Sequence, residues 1–470
     1  MSVFARVLSA IREFSCVCSI AGMIFVGCSF LYICFADHAG IIARSFDSWQ
    51  EFYRVQKPSA QVDLGTISAK NCKKSYSCLI ARPFDSWQEF YREQKPGSQR
   101  EFVMPCVKNE KKWYNCLPSL IVVGTFKGGT TGLRAKLAAS GNLWTLGKKG
   151  EPEEAHFWDR IHPHELLNRT VPEVADLYAR KVGHTSRKFA DIADATTKIV
   201  KKVAFDTTPR YMISMSLNML RLMHKVLPNA QLLLLARPGA DVYFSGMQMN
   251  TCINPCNKSK LLSLISAERE GGCKLAQKKA AKWAIDMLKN GRKRHAEILH
   301  DPNVQIDRVH HMGTYFHGSY ALPLAHLLRV WPQSQVTVIE SGELWRDPSQ
   351  VYDRIAKEAH FPFHINLAKK TRKRPVLQDS CVCSRSSELE KLVHRCELKV
   401  PFRCTFYGAN ERFADLLNKS WPRSWNIGLN LTQCLRLGFE KGDFFEPWPS
   451  FETLDQLQAA SLGAVALGDT

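Results

Sequence analysis

The sequence predicts an α/β domain with a mostly parallel sheet. From about Pro118 onward, short apolar runs of strand length alternate with helical patterns. The runs cover residues 120–123, 202–205, 231–236 and 336–339, and the first continues through a glycine-rich turn into a helix. Because ligands of open parallel sheets gather beyond the carboxyl ends of the strands, we look for chemistry in the loops that follow these runs.

Composition indicates a folded, basic protein. The chain has 470 residues, and 45% of them are apolar, which is enough for one large domain or two ordinary ones. The 64 Lys and Arg outnumber the 44 Asp and Glu, so the net charge is +20 and polyanionic partners are favoured. The sequence has no zinc-finger spacing, RNP-type aromatic motif or bZIP heptad, and therefore gives no reason to expect a nucleic acid.

An uncharged apolar segment at residues 14–36 is long enough to cross a bilayer as a helix. Arg6 and Arg12 precede it and Asp37 follows, so residues 1–13 are expected in the cytoplasm and the rest of the chain in the lumen. A cleaved signal peptide is the alternative, and it leads to the same secretory route. Four Asn-x-Ser/Thr sequons fit that compartment, at Asn168, Asn257, Asn418 and Asn430.

Cysteine usage is consistent with an oxidising compartment. Four of the 16 Cys lie in the apolar segment, and the even remainder permits disulfides whose connectivity the sequence leaves open. We expect no structural metal, because no Cys-x-x-Cys pair is present. The closely spaced candidate pairs are Cys72 with Cys78, Cys106 with Cys116, and Cys396 with Cys404.

Residues 42–58 and 80–96 repeat one segment, which differs between the copies only at Ser45/Pro83 and Val55/Glu93. Each copy has a capping-box pattern and aromatic residues on one helical face, which predicts a short amphipathic helix. We assign residues 37–117 to a lumenal stem. The repeat is either a duplication with little function or an element that binds a partner or lets the chain form a homo-oligomer.

The glycine-rich turn predicts an anion cradle. Gly128 and Gly129 permit a tight turn before the next helix, whose first amides and dipole favour an anion. Lys127, Thr130 and Thr131 add one charge and two hydroxyls at the same place. Since the lysine precedes the glycines, the order differs from a Walker A loop, and a nucleotide-dependent kinase is only a weak alternative.

Residues 118–418 resemble the Golgi-type carbohydrate sulfotransferases, whose donor is 3'-phosphoadenosine 5'-phosphosulfate (PAPS). The turn is similar to their 5'-phosphosulfate loop, Lys-(Gly/Ala/Ser)-Gly-Thr. The resemblance implies that Lys127 contacts the sulfate and the departing oxygen, where a cation and backbone donors stabilise developing charge. It implies that residues 128–132, which include Gly132, hold the 5'-phosphate. It further implies a P-loop-like three-layer domain at 118–435, a tail at 436–470 and a single-pass type II Golgi membrane protein.

Two further segments resemble donor-binding motifs of that family. Arg237 ends a strand and Ser245 follows in the next helix, as in the 3'-phosphate motif, and an arginine and a hydroxyl suit a terminal phosphate. The chain departs from that motif at Pro238 and at Val242, where the family often has a second arginine. Residues 369–374 lie where members carry a basic loop, and the resemblance implies that Arg372, Lys373 and Arg374 reach the 3'-phosphate; a solvated basic segment is the alternative.

On the acceptor side, residues 153–158 are similar to the family's Lys-Glu-x-His-Phe-Phe element. Glu154 is the predicted general base, with His156 second, because a carboxylate in a partly buried site beside aromatic side chains suits that role. An ordinary acidic loop is the alternative. Residues 206–211 resemble the Thr/Ser-Pro-x-Tyr element near donor and acceptor, or form a turn closed by Pro209. The later segment from Gly313 to Pro348 is expected to serve the core.

The working hypothesis is therefore transfer of a sulfuryl group from PAPS to a hydroxyl of a glycan, without a metal. The acceptor class is a glycosaminoglycan or another acidic polysaccharide, as in the N-acetylgalactosamine 4-sulfate 6-O- and heparan sulfate sulfotransferase groups, and the net charge fits it. A membrane-anchored glycan-binding protein on a catalytically decayed sulfotransferase scaffold is the alternative, because Pro238 and Val242 depart from the donor motif.

Overall fold

The computed structural model describes residues 79–94, 102–144, 154–182, 185–253, 260–300, 315–365 and 384–444. The predicted membrane segment at 14–36, the first copy of the repeat, the basic residues 372–374 and most of the tail lie outside these ranges. All described residues belong to one compact unit, which comprises residues 67–470. Within them, no helix has the length and apolar character needed to cross a bilayer.

Nine strands occur in the described part of the chain. They are β1 (Ile80–Phe84), β2 (Val103–Lys108), β3 (Tyr114–Cys116), β4 (Leu120–Gly124), β5 (Leu143–Trp144), β6 (Thr185–Ser186), β7 (Val203–Thr207), β8 (Gln231–Ala236) and β9 (Val336–Glu340).

Helices alternate with these strands. The first eight are α1 (Trp87–Glu93), α2 (Thr130–Ala139), α3 (Pro163–Leu167), α4 (Val171–Val182), α5 (Tyr211–Ser214), α6 (Leu217–Val226), α7 (Gly239–Ile253) and α8 (Lys260–His300). The others are α9 (Ala321–Leu328), α10 (Ser341–Arg346), α11 (Pro348–Glu358), α12 (Ser384–Arg395), α13 (Lys399–Leu417), α14 (Trp421–Ser424) and α15 (Leu431–Arg436). Short 3₁₀ turns lie at Phe189–Asp191, Tyr315–His317, Gln333–Gln335 and Lys441–Phe444.

The central sheet has the order β5-β7-β4-β8-β9, and every neighbouring pair in it is parallel. Each residue of β4, β7 and β8 is buried, as expected for strands covered on both faces. The four predicted strands are all present in this sheet, and the predicted α/β fold with a parallel sheet is confirmed. Because the strands run the same way, their carboxyl ends and the loops after them lie along one edge.

Alternate residues of β4 and β8 enter two separate apolar clusters, which places a helical layer on each face of the sheet. One cluster contains Ile121, Val123, Leu232 and Leu234, with residues of α6, α9 and α13. The other contains Leu120, Val122, Leu233 and Leu235, with Leu133 and Leu137 of α2 and Val351, Tyr352 and Ile355 of α11. The described domain is thus a three-layer arrangement.

The described residues that we assigned to the end of the stem are part of the folded domain. β1 pairs in parallel with β2, and β2 pairs with β3 to form a second sheet of order β1-β2-β3-β6. The second copy of the repeat supplies β1 and α1, and Trp87 and Phe90 of α1 are buried. The domain therefore includes described residues well before the predicted start at 118, because this segment has long-range strand partners and a buried apolar face.

The helix expected in the repeat forms in the second copy with a partly different cap. Ser86 Oγ accepts the Glu89 amide at 3.1 Å, as a capping box requires. The Glu89 carboxylate, however, accepts from the Asp85 amide at 2.6 Å, one residue before the expected donor. The local pattern thus predicted the helix, although not its tertiary setting.

Three disulfides join described cysteines. Cys106 pairs with Cys116 across β2 and β3, as the spacing indicated. Cys396 and Cys404 do not pair with each other, which corrects that candidate. Cys396 bonds Cys273 of α8, and Cys404 bonds Cys434 of α15, because helix packing brings residues distant in sequence together. The candidate pair Cys72 and Cys78 lies outside the described residues.

Candidate active site

The loop between β4 and α2 is folded tightly against the end of β8. The Gly128 amide donates to the Thr125 carbonyl at 2.9 Å, and the Thr125 amide donates to the Leu235 carbonyl at 3.1 Å. A Cβ at Gly128 would lie 2.9 Å from the Leu235 oxygen, so only glycine fits here. This contact holds the loop at the carboxyl edge of the sheet.

The same loop ends at the N-terminus of α2. Lys127 and Gly129 have φ values of 64° and 99°, in the left-handed region. Gly129 is the N-cap and offers no side-chain acceptor to the amides of the first helical turn. Those amides and the helix dipole would favour an anion at the position where the sequence predicts one.

A cleft of about 690 Å³ opens over this loop. Eight of the predicted site residues line it, namely Lys127, Gly128, Gly129, Thr130, Thr131, Glu154, Arg237 and Ser245. Gly132 lies one residue further along α2, where a Cβ would be 3.3 Å from the Trp345 ring. Arg372, Lys373 and Arg374 lie outside the described residues.

Arg237 connects the loops that follow β4 and β8. Its Nη1 donates to the Lys127 carbonyl at 3.3 Å. The Tyr320 hydroxyl donates to the Arg237 carbonyl at 2.7 Å, and burial raises the pKa of Tyr320, so that the hydroxyl stays neutral and keeps its proton. The backbone and the side chain of Arg237 are therefore both anchored at the cleft.

The two departures from the 3'-phosphate motif have structural explanations. Pro238 lines the cleft and precedes the first residue of α7, a position that proline tolerates because helix-start amides lack intrahelical partners. Val242 is buried at 1% exposure and does not line the cleft. Position 242 therefore contributes no side chain to the lining of the cleft.

Glu154 is held by two basic side chains. Its Oε1 lies 3.4 Å from Arg134 Nη1, in the second turn of α2, and its Oε2 lies 3.0 Å from His156 Nε2. The Glu154 side chain is 26% exposed and lines the cleft. A group bound in the cleft can therefore reach a carboxylate whose two oxygens are held by Arg134 and His156.

His156 lies between two carboxylates. Its Nδ1 is 2.9 Å from Asp159 Oδ2, and hydrogen bonds to Asp159 and then Glu154 raise the pKa of His156 to about 9. The imidazole is therefore a cation at neutral pH, and its Nε2 donates to Glu154. This charge state favours a supporting role for His156 over the base role that the sequence suggested.

The wall of the cleft that follows β9 was not predicted from the sequence. Glu340, Ser341, Gly342 and Trp345 all line it, although this segment was expected to serve the core. Ser341 Oγ donates to the Gly128 carbonyl at 2.5 Å, so α10 is tied to the loop after β4. The sequence did indicate where to look for this wall, because these residues follow the fourth predicted strand and ligands bind beyond the carboxyl ends of parallel strands.

Trp345 is the most exposed residue of that wall. It is 60% exposed, and its ring lies next to the positions of Gly129 and Gly132. Asp241 also lines the cleft and forms an ion pair with Lys399, Oδ1 to Nζ, at 2.6 Å. Among the described residues, no group of His, Cys, Asp and Glu has an arrangement that could hold a metal ion.

Comparisons with known proteins give similarity at the level of structure. No protein-family model matches the chain, and no curated protein sequence matches it significantly. Among solved structures, a sulfotransferase from Alicyclobacillus acidocaldarius is similar, with 17% sequence identity and a TM-score of 0.36. The match covers 65% of this chain and 99% of that one. At this level of similarity the functional interpretation depends on the site itself.

Proposed function

We propose that this chain transfers a sulfuryl group from PAPS to a hydroxyl of a glycan by in-line displacement. The observation that carries the proposal is the composition of the cleft. On one side it has an anion site made by Lys127 and the start of α2, and on the other a carboxylate held by Arg134 and His156. A group-transfer reaction of this kind needs both parts in one place.

The residues suggest a role for each part. The 5'-phosphate of PAPS would bind the amides of residues 129–131, since the Gly128 amide already donates to Thr125, and Lys127 would neutralise the oxygen that bridges phosphorus and sulfur. The acceptor oxygen forms a bond to sulfur while the bond from sulfur to the bridging oxygen breaks. Glu154 takes the hydroxyl proton, and 3'-phosphoadenosine 5'-phosphate (PAP) leaves with the electron pair of the broken bond.

Arg237 and Ser245 are the proposed ligands of the 3'-phosphate. Both line the cleft, and Arg237 also contacts the carbonyl of Lys127, so the sites for the two phosphates would be mechanically connected. Arg372, Lys373 and Arg374 remain proposed ligands on the grounds of sequence alone. The chemistry assigned to the loop amides and Lys127 requires no metal ion.

A basic stripe on α8 supports an anionic polysaccharide as acceptor. After a kink at Gly271 and Gly272, exposed lysines recur at spacings of four and seven residues, which keeps them on one helical face. They are Lys274, Lys278, Lys282, Lys289 and Lys293. At 1.5 Å per residue the stripe is roughly 28 Å long, a length that suits a polyanion better than a small ligand.

The cellular setting is also a proposal. Residues 14–36 would anchor the chain as a single-pass type II protein of the Golgi membrane, with the described domain in the lumen. The disulfides within the described domain agree with an oxidising compartment. Homo-oligomer formation through the segment before the domain remains a hypothesis.

The test is transfer of labelled sulfate from PAPS to a panel of glycans, together with calorimetric titration with PAP. Lys127→Ala should lower kcat by a factor of at least about 100, the effect of removing one charge-stabilising group from a transfer site. Lys136→Ala is the matched control, because Lys136 is exposed in the last turn of the same helix. Transfer that survives Lys127→Ala would contradict the mechanism.

Calorimetry also separates the alternative, a glycan-binding protein on a decayed scaffold. Such a protein should bind sulfated glycan and not PAP. Val242 is buried and leaves Arg237 and Ser245 as the residues proposed for the 3'-phosphate, so PAP affinity decides between the two proposals. Absence of PAP binding by the wild-type protein would reject the sulfotransferase proposal.

A further inference from the structure

A buried carboxylate is linked by hydrogen bonds to the loop that carries Glu154. Asp206, in β7, is 0% exposed and accepts hydrogen bonds from three hydroxyl groups. Its Oδ1 accepts from Thr208 Oγ1 at 2.9 Å. Its Oδ2 accepts from the hydroxyls of Tyr178 at 2.7 Å and Tyr211 at 2.8 Å. Burial raises the pKa of Asp206, and the three donors, which favour the ionised form, oppose that rise.

Two of these hydroxyls also accept a backbone amide of the loop that carries Glu154. Thr208 Oγ1 accepts the backbone amide of His156 at 3.2 Å, and the Tyr211 hydroxyl accepts the amide of Phe157 at 3.1 Å. Since a hydroxyl has only one hydrogen, donation to Asp206 leaves a lone pair for the amide. Asp206 therefore orients two hydroxyls that bind two consecutive amides of the loop.

The loop needs this support because its backbone is unusual. His156 has φ of 48°, which is a left-handed conformation that a residue with a Cβ adopts rarely. Its ring is held separately by Asp159, whose side chain is 2% exposed. The imidazole then holds Glu154, so the position of Glu154 depends on the backbone at 156 and 157.

We propose that Asp206 is a positioning residue that, through Thr208 and Tyr211, fixes the loop carrying Glu154 against the acceptor. The inference rests on the proposed function, since it concerns the base of that reaction. Asp206 itself is buried and contacts no part of the cleft, so its effect is indirect. The motif at residues 206–211 therefore holds a loop that lies about 50 residues earlier in the sequence.

Tyr211 and Tyr178 provide a matched pair for the test. Both are fully buried and donate to the same carboxylate oxygen, but only Tyr211 also accepts a loop amide. Tyr211→Phe should cost more stability than Tyr178→Phe, because it also leaves the buried Phe157 amide without its acceptor. Tyr211→Phe should lower kcat about tenfold or more with the affinity for PAP unchanged, whereas Tyr178→Phe should stay within about threefold of wild type.

Thr208 offers an independent test if the tyrosine variants fold poorly. Thr208→Val removes the hydroxyl with little change in shape and should lower kcat, whereas Thr208→Ser keeps the hydroxyl and should restore it. Amide hydrogen exchange over residues 155–160 gives a readout without turnover. Exchange should accelerate in Tyr211→Phe and Thr208→Val and stay near the wild-type rate in Tyr178→Phe and Thr208→Ser.

The outcomes distinguish the inference from the proposed function. Equal losses of kcat in Tyr211→Phe and Tyr178→Phe, or unchanged exchange of the loop in Tyr211→Phe and Thr208→Val, would overturn the positioning role while sulfate transfer stands. If the wild-type protein neither binds PAP nor transfers sulfate, the proposed function fails, and hydrogen exchange still decides whether Asp206 clamps the loop.

Discussion

We expect the domain to lose stability as the pH rises from about 6.5 to about 9, because of His156. Its ring lies 3.0 Å from Glu154 Oε2 and 2.9 Å from Asp159 Oδ2. Hydrogen bonds to Asp159 and Glu154 raise the pKa of His156 from 6.5 to about 9 in the folded protein. The charged imidazole is therefore stabilised by folding, and its neutral form is not.

The sign and size of the effect follow from this shift. Below pH 6.5 both the folded and the unfolded chain carry the proton, and the stabilisation is fully present. Between pH 6.5 and 9 the folded state binds more protons than the unfolded state, so the free energy of unfolding falls as the pH rises. At about 1.4 kcal/mol per pKa unit, roughly 3 kcal/mol is lost by the time the pH passes the folded pKa. The side chain is 17% exposed, so solvent screening reduces this figure, and roughly 3 kcal/mol is an upper bound.

Urea unfolding at several pH values between 6 and 9.5 measures this dependence. The free energy of unfolding of the wild-type protein should fall across this range by most of the amount assigned to His156. The free energy of unfolding of His156→Gln should not show that fall. His164→Gln is the control, because His164 is exposed in α3. Equal slopes in the wild type and His156→Gln, or a ring pKa near 6.5 by NMR, would refute the reasoning.

Three further predictions concern the fold. Gly128→Ala should destabilise the protein by about 1–3 kcal/mol, because the added Cβ would meet two backbone oxygens. In Gly132→Ala the added Cβ meets only the exposed ring of Trp345, so the free energy of unfolding should rise by up to about 1 kcal/mol. Thermal melting measures both changes. Trp87→Ala should cost about 3–5 kcal/mol in urea unfolding, since Trp87 is 4% exposed, and Trp49→Ala in the first copy of the repeat is the matched comparison. Replacing both cysteines of the Cys273–Cys396 disulfide by serine should cost about 4–5 kcal/mol, because the bond closes a loop of 123 residues; an unchanged urea midpoint would contradict this.

The strand, the glycine turn and the helix at the proposed anion site were predictable because their signal is local. These three are consecutive in sequence, from Leu120 to Ala139. The clamp on Glu154 was not predictable, since Arg134 and Asp206 come from other elements. Patterns of residue type can indicate which side chain has a suitable chemistry, but the neighbours that set its orientation depend on packing.

The stem and the cysteines show the same limit. The aromatic face of the repeat indicated a helix, and α1 forms, but the pattern could not indicate that β1 pairs with β2. Close spacing in sequence predicted the Cys106–Cys116 disulfide because β2 and β3 are adjacent strands. It failed for Cys396, whose partner lies on α8, because there the pairing is set by helix packing.

The proposed anion site and the residue that holds the proposed base both belong to α2. The first residue of α2, Thr130, lines the anion site, and Arg134, one turn later, holds Glu154. One helical turn is about 5.4 Å, so the spacing between the anion site and the anchor of the carboxylate is set by hydrogen-bonded backbone rather than by a flexible loop. A displacement of α2 would move both together. The loop that carries Glu154 is then the element whose position can vary independently, which is why the clamp by Asp206 matters for the geometry of the cleft.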